Sequence, residues 1–105
     1  MAQLGKDGAQ SDLRFTDSFI YDRIQRGYGP LRIRQELRER GIDEGSIAGA
    51  LADGNNDWMA RLTDVHAKKF GAAIPVDFRE RIRQSRFLQY RGFTPDQIRR
   101  LFDRD

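Results

Sequence analysis

The segment LRERGIDEGSIAGAL at 37–51 can be laid over LQYRGFTPDQIRRLF at 88–102 without a gap. Leu37 then meets Leu88, Arg40 meets Arg91, Gly41 meets Gly92 and Ile47 meets Ile98, while Asp43 and Thr94 coincide as helix caps. Helix, glycine stop, apolar residue, cap and second helix recur in one register. A repeat of this kind constrains the chain to two copies of one supersecondary unit, stacked so that each covers apolar surface the other cannot bury alone.

Helix punctuation fills in the rest. Thr16 or Ser18 can cap a helix that carries Phe19, Ile20 and Ile24 and ends near Gly27. Pro30 suits a first helical position, and the helix it opens should run over about 31–40 and stop at Gly41. Asp43 caps a third helix with Ile47, Ala50 and Leu51, and ADGNND at 52–57 breaks the pattern. A second set follows: an amphipathic helix over 57–70 with Trp58, Leu62 and Val65 on one face, then a helix from Asp77 to Arg91. Asp77 with Glu80 reads as a capping box for that helix, and Thr94, Pro95 and Gln97 give a strong start to the last. Strand signals are weak throughout. The expectation is all-α, with a disordered tail at 1–12, a three-helix unit at 13–54 and another at 55–105.

Charge matters through its placement. Charged residues make up 33% of the chain but balance to +3, too small a net field to define a nucleic-acid binder. Sixteen Arg stand against three Lys; Arg suits forked pairing with carboxylates and phosphates, although a GC-rich genome produces the same bias. On the second helix Ile33 and Leu37 share the buried side, and Arg32, Glu36 and Arg40 form an i, i+4 ladder. Arg34 and Arg38 have no acid three or four residues away, which points to an acidic partner. On the fifth helix Arg79, Arg83, Arg86 and Tyr90 make a stripe beside an apolar line of Phe78 and Ile82, and only Arg83 has an acid, Glu80, within helical reach. Such a stripe is either an interaction face for an acidic surface or phosphates, or a solvated face paired with a neighbouring helix.

Other chemistries find little support. There is no Cys, which agrees with a reducing compartment, no glycine loop of the phosphate-cradling kinds, and no Ser near the one histidine, His66. His66, beside Met59 and Phe70, reads as a packed edge residue, and its neighbourhood offers too few ligands for a metal. Trp58 and Phe87 read as core, and Tyr28 either packs against the loop or stands out as an anchor, with packing expected. No apolar run reaches a membrane span. Neither an enzyme nor a cofactor is expected. Each unit also contains a helix-turn-helix pattern, but Asp43 and Glu44 at the third helix's start would repel phosphates, which leaves only the last helix, with Gln97, Arg99 and Arg100, as a groove reader.

GYGPLRIRQELRERGI at 27–42, DW at 57–58, KKFG at 68–71 and RFLQYRGFTPDQI at 86–98 resemble the RecX family, as does DLRFTDSFI upstream. The resemblance covers about 12–102. It implies a curved array of three-helix units without cofactor that binds the recombinase RecA along the groove of its filament on DNA and restrains filament growth, ATP hydrolysis and strand exchange, in DNA repair and the SOS response. Members usually have three such units; two are counted here, so the N-terminal one is expected to be absent. The family's interaction surface is basic. By resemblance that role falls to Arg32, Arg34 and Arg38, and the stripe argument adds Arg79, Arg83 and Arg86. The expectation is a cytoplasmic monomer that binds RecA or its DNA filament; a nonspecific nucleic-acid-binding helical module is the alternative, and the salt dependence of binding separates the two.

Overall fold

The computed structural model describes residues 2–53 and 56–103, with backbone alone over 2–13. Six helices follow one another: α1 (Ala2–Gln25), α2 (Pro30–Glu39), α3 (Glu44–Leu51), α4 (Trp58–Phe70), α5 (Phe78–Arg91) and α6 (Pro95–Phe102). α1 packs on α2 and α3, and α6 on α4 and α5, so the described residues form the two expected three-helix units.

Most helix ends are set by the residues the sequence singles out. Asp43, Asp57 and Asp77 each accept a hydrogen bond from the backbone amide three residues on, and Thr94 with Gln97 completes a reciprocal capping box. The expected box at Asp77 is only half made. Glu80 turns to Arg83 and Gln84 instead, because two charge-assisted or amide donors on its own helix outcompete the cap amide. α1 begins at Ala2, well before Thr16 or Ser18, so neither caps it and the backbone expected to fray is helical. No proline interrupts the segment, and glycines such as Gly5 and Gly8 cost a helix only about 0.5–1 kcal/mol each. Thr16 is fully buried within α1. Of the expected break at 52–57, residues 54 and 55 lie outside the described residues; downstream side chains close α3, with Asn56 Nδ2 donating to Ala50 O (2.9 Å) and Trp58 Nε1 to Leu51 O (3.0 Å).

Each unit has its own core. Phe19, Ile20, Ile24, Ile33, Leu37 and Ile47 form the first, and Leu62, Leu88, Phe93, Ile98, Leu101 and Phe102 the second. The repeat pairs Leu37 with Leu88 and Ile47 with Ile98 occupy equivalent buried sites. Trp58 is half-buried and packs against both clusters. His66 is not an edge residue: it is 1% exposed, against the rings of Phe70 and Phe102. Its Nε2 lies 2.7 Å from Gln84 Oε1, and Gln84 Nε2 donates to Glu80. The amide oxygen is therefore the acceptor, and His66 donates from Nε2.

The two units are joined by backbone. Gly29 N–H donates to Arg91 O and Leu31 N–H to Gly92 O, both at 2.8 Å. These are amides at the start of α2, which has no side-chain cap, and Pro30 between them has none to offer. The approach is very close. A Cβ on Gly29 would stand 2.6 Å from Gly92 C and Phe93 N, and one on Gly92 would stand 2.4 Å from Arg32 Cβ. Gly92 also has φ +104, the left-handed region expected at a helix C′.

Candidate interaction surface

The six arginines singled out by sequence do not form one patch. Arg32 lies at the junction of the units, its guanidinium 4.5 Å from the Tyr28 ring centroid and 5.3 Å from that of Tyr90, with Nη1 3.5 Å from Tyr90 O. Arg34 and Arg38 occupy another flank of α2 and face α3. Arg79, Arg83 and Arg86 are on the outer side of α5, exposed to solvent. Through Tyr90, the end of the α5 stripe touches Arg32; the Arg34–Arg38 pair stands apart.

Two charge readings need correction. Glu36 does not serve Arg32 and Arg40: it pairs with Arg32 (3.4 Å) and with Arg23 of α1 (2.7 Å). Arg40 instead lies over Phe15 and Phe19, 5.8 and 5.0 Å from the ring centroids. Nor are Arg34 and Arg38 without an acid. Glu44, at the start of α3, accepts from Arg34 Nη2 at 2.9 Å and from Arg38 Nε. Helical spacing could not show this pair because the carboxylate comes from the next helix, across the Gly41 turn. The trio still carries one net positive charge.

Hydrogen bonds from Arg38, then from Arg34, hold the Glu44 carboxyl below the usual carboxylate range. Arg83, then Gln84, does the same to Glu80. A carboxyl whose pKa is lowered by folding contributes stability that is present above its unfolded value and lost as pH falls through its folded one. Acid titration should therefore show a destabilisation of Glu44→Gln relative to the parent that is present at neutral pH and vanishes below the usual carboxylate range. A difference that persists unchanged into strong acid would contradict the bridge.

The apolar line of α5 is exposed along with the arginines beside it. Phe78 is 72% exposed and Ile82 is exposed, because α5 buries Gln84 and Leu88. Val76, in the preceding loop, is 93% exposed and Tyr90 is 72% exposed. Among the described residues, neither Arg79 nor Arg86 makes an ion pair. The outer side of α5 thus combines unpaired guanidiniums with exposed aromatic and aliphatic side chains, the composition of protein-binding surfaces. The sequence shows the arginines and the apolar line beside them, but not that this line is exposed. No described group of His, Asp and Glu could hold a metal ion, and no described helix is long and apolar enough to cross a membrane.

Two tandem three-helix units, joined through glycines and presenting arginine-rich faces, define a helical-repeat protein. The family models for the second and third three-helix domains of RecX match residues 11–51 and 56–102. Among curated relatives, the chain is 47% identical over 96 residues to the regulatory protein RecX of Halorhodospira halophila, covering 91% of this chain and 60% of that protein. It is 46% identical over 99 residues to the regulatory protein RecX of Pseudomonas entomophila, covering 94% and 64%. The chain belongs to the RecX family of regulatory proteins. It spans less than two thirds of the length of these relatives.

Proposed function

We propose that this protein is a cytoplasmic, non-enzymatic modulator of the recombinase RecA that docks in the groove of the RecA–DNA filament and restrains filament extension, ATP hydrolysis and strand exchange, and so acts in DNA repair and the SOS response. Family membership supports the regulatory role. The observation that carries the docking face is the outer side of α5, where Arg79 and Arg86 have no carboxylate partner beside exposed Phe78, Ile82 and Tyr90. Such a face meets an acidic protein surface without first breaking an internal ion pair. Arg83 lies on the same stripe, held by Glu80, and Arg32 reaches it through Tyr90. Arg34 and Arg38 form a second, weaker contact, since each must share Glu44 with the partner.

The test is binding to RecA filaments assembled on single-stranded DNA with a slowly hydrolysed nucleotide, with ATP turnover measured alongside. Arg79→Glu/Arg86→Glu should weaken binding by about tenfold or more, as expected for reversed interfacial charges, and Arg34→Glu/Arg38→Glu by less. Unchanged filament binding by the α5 variant, with helix content intact, would reject this face. Binding to no RecA filament by the parent chain would reject the function.

A further inference from the structure

The strongest concentration of unpaired positive charge lies at none of the arginines singled out by sequence. A cleft of about 280 Å³ opens where the end of α1 meets α4 and α5, and Arg26, Arg61, Lys68, Lys69 and Arg91 line it. Asp64 is the one acid on its wall. Arg26 pairs with Asp22 at 3.0 Å, but among the described residues Arg61, Lys68, Lys69 and Arg91 make no ion pair.

Two of these cations are held in place by rings. Arg91 lies 5.0 Å from the Tyr28 centroid and 5.4 Å from that of Phe87, and its Nη1 donates to Arg26 O at 3.3 Å. Lys69 Nζ is 5.2 Å from the Phe87 centroid. Ring contacts hold a cation over an aromatic face while leaving its other N–H groups available as donors. Arg61 has a buried Nε with no hydrogen-bond partner. Arg61, Lys68, Lys69 and Arg91 gather around Ile24, Val65 and Phe87 with a single acid, Asp64, among them, and an anion in the cleft would relieve their mutual repulsion. Both units contribute, so the site exists only when they are docked: Gly27 and Arg26 come from the first, and the other cations from the second.

We infer that this inter-unit cleft binds the phosphodiester backbone of single-stranded nucleic acid, independently of any contact with RecA. The occupant is a phosphate rather than a carboxylate chain because the charge is dense and convergent. Arginine forks and lysine point charges together match a tetrahedral anion bearing several acceptor oxygens. The cleft's size suits one backbone unit rather than a folded peptide segment.

The test uses the full chain and a fluorescent oligothymidylate without RecA, titrated over a range of salt. Lys68→Gln/Lys69→Gln should lower affinity and reduce the slope of log affinity against log salt by about 0.7 for each phosphate contact removed. Lys68→Arg/Lys69→Arg should retain both, and circular dichroism confirms that each variant is folded. Arg79→Gln/Arg86→Gln, on the outer side of α5, should lose far less. An unchanged slope in the folded Gln variant would overturn the assignment. So would a polyglutamate peptide that displaces the oligonucleotide at equal charge concentration, since the cleft would then be a site for acidic peptides.

Discussion

Replacing Gly29 by Ala should cost this protein far more than its backbone conformation warrants. Gly29 has φ −96 and ψ 177, ordinary extended values that alanine adopts without strain. In an open chain the change would stabilise by about 0.4–1 kcal/mol through the unfolded state. Here the added methyl falls 2.6 Å from the backbone of Gly92 and Phe93, and neither atom can turn aside. The units must separate, which breaks the hydrogen bonds from Gly29 and Leu31, worth about 0.5–1.5 kcal/mol each, and leaves polar groups unpaired. Gly92→Ala adds left-handed strain of about 1–3 kcal/mol and meets the Arg32 backbone. Urea unfolding should place both variants at least about 2 kcal/mol below the parent. Gly41→Ala supplies the control. It has a similar φ, +83, but no atom within 4 Å of its new methyl, so it should show only the strain. Losses at Gly29 no greater than at Gly41 would mean that the junction is not rigid.

Trp58→Ala should remove about 3 kcal/mol or more and make unfolding non-cooperative. The indole touches both hydrophobic clusters, and its Nε1 donates to the carbonyl of Leu51 at the end of α3. Losing it opens a cavity at the boundary of the cores and frees a helix-terminal acceptor together. Trp58→Phe retains most of the packing and drops the hydrogen bond, so its loss should be about 0.5–1.5 kcal/mol. Ellipticity followed through a urea titration reads the difference. Two transitions in Trp58→Ala against one in the parent are expected; one sharp transition in both would show that the junction alone couples the units.

The repeat made the architecture readable because its elements are local. A cap, a C′ glycine and an apolar face each act within a few residues, so five of the six helices begin near the residues that sequence singles out. α1 differs because its start carries no cap or proline to mark it. Side-chain partnerships were less legible. Helical spacing reaches only i±3 and i±4, so it assigned Glu36 to Arg40 and missed Arg23, and it left Arg34 and Arg38 without the Glu44 that a neighbouring helix supplies. The exposure of Phe78 and Ile82 was not legible either, because apolar spacing does not say which side of a short helix its neighbours cover. The cleft was out of reach for the same reason. Its cations come from segments that only the docking of the units brings together.

The order in which the chain is made gives the Gly29 contact a further meaning. The acceptors for Gly29 and Leu31 belong to Arg91 and Gly92, so the start of α2 keeps its open amides hydrated until the end of α5 has left the ribosome. The first unit is thus finished by a turn of the second, and a nascent chain halted before residue 91 would carry α1, α2 and α3 without the clasp that holds the start of α2.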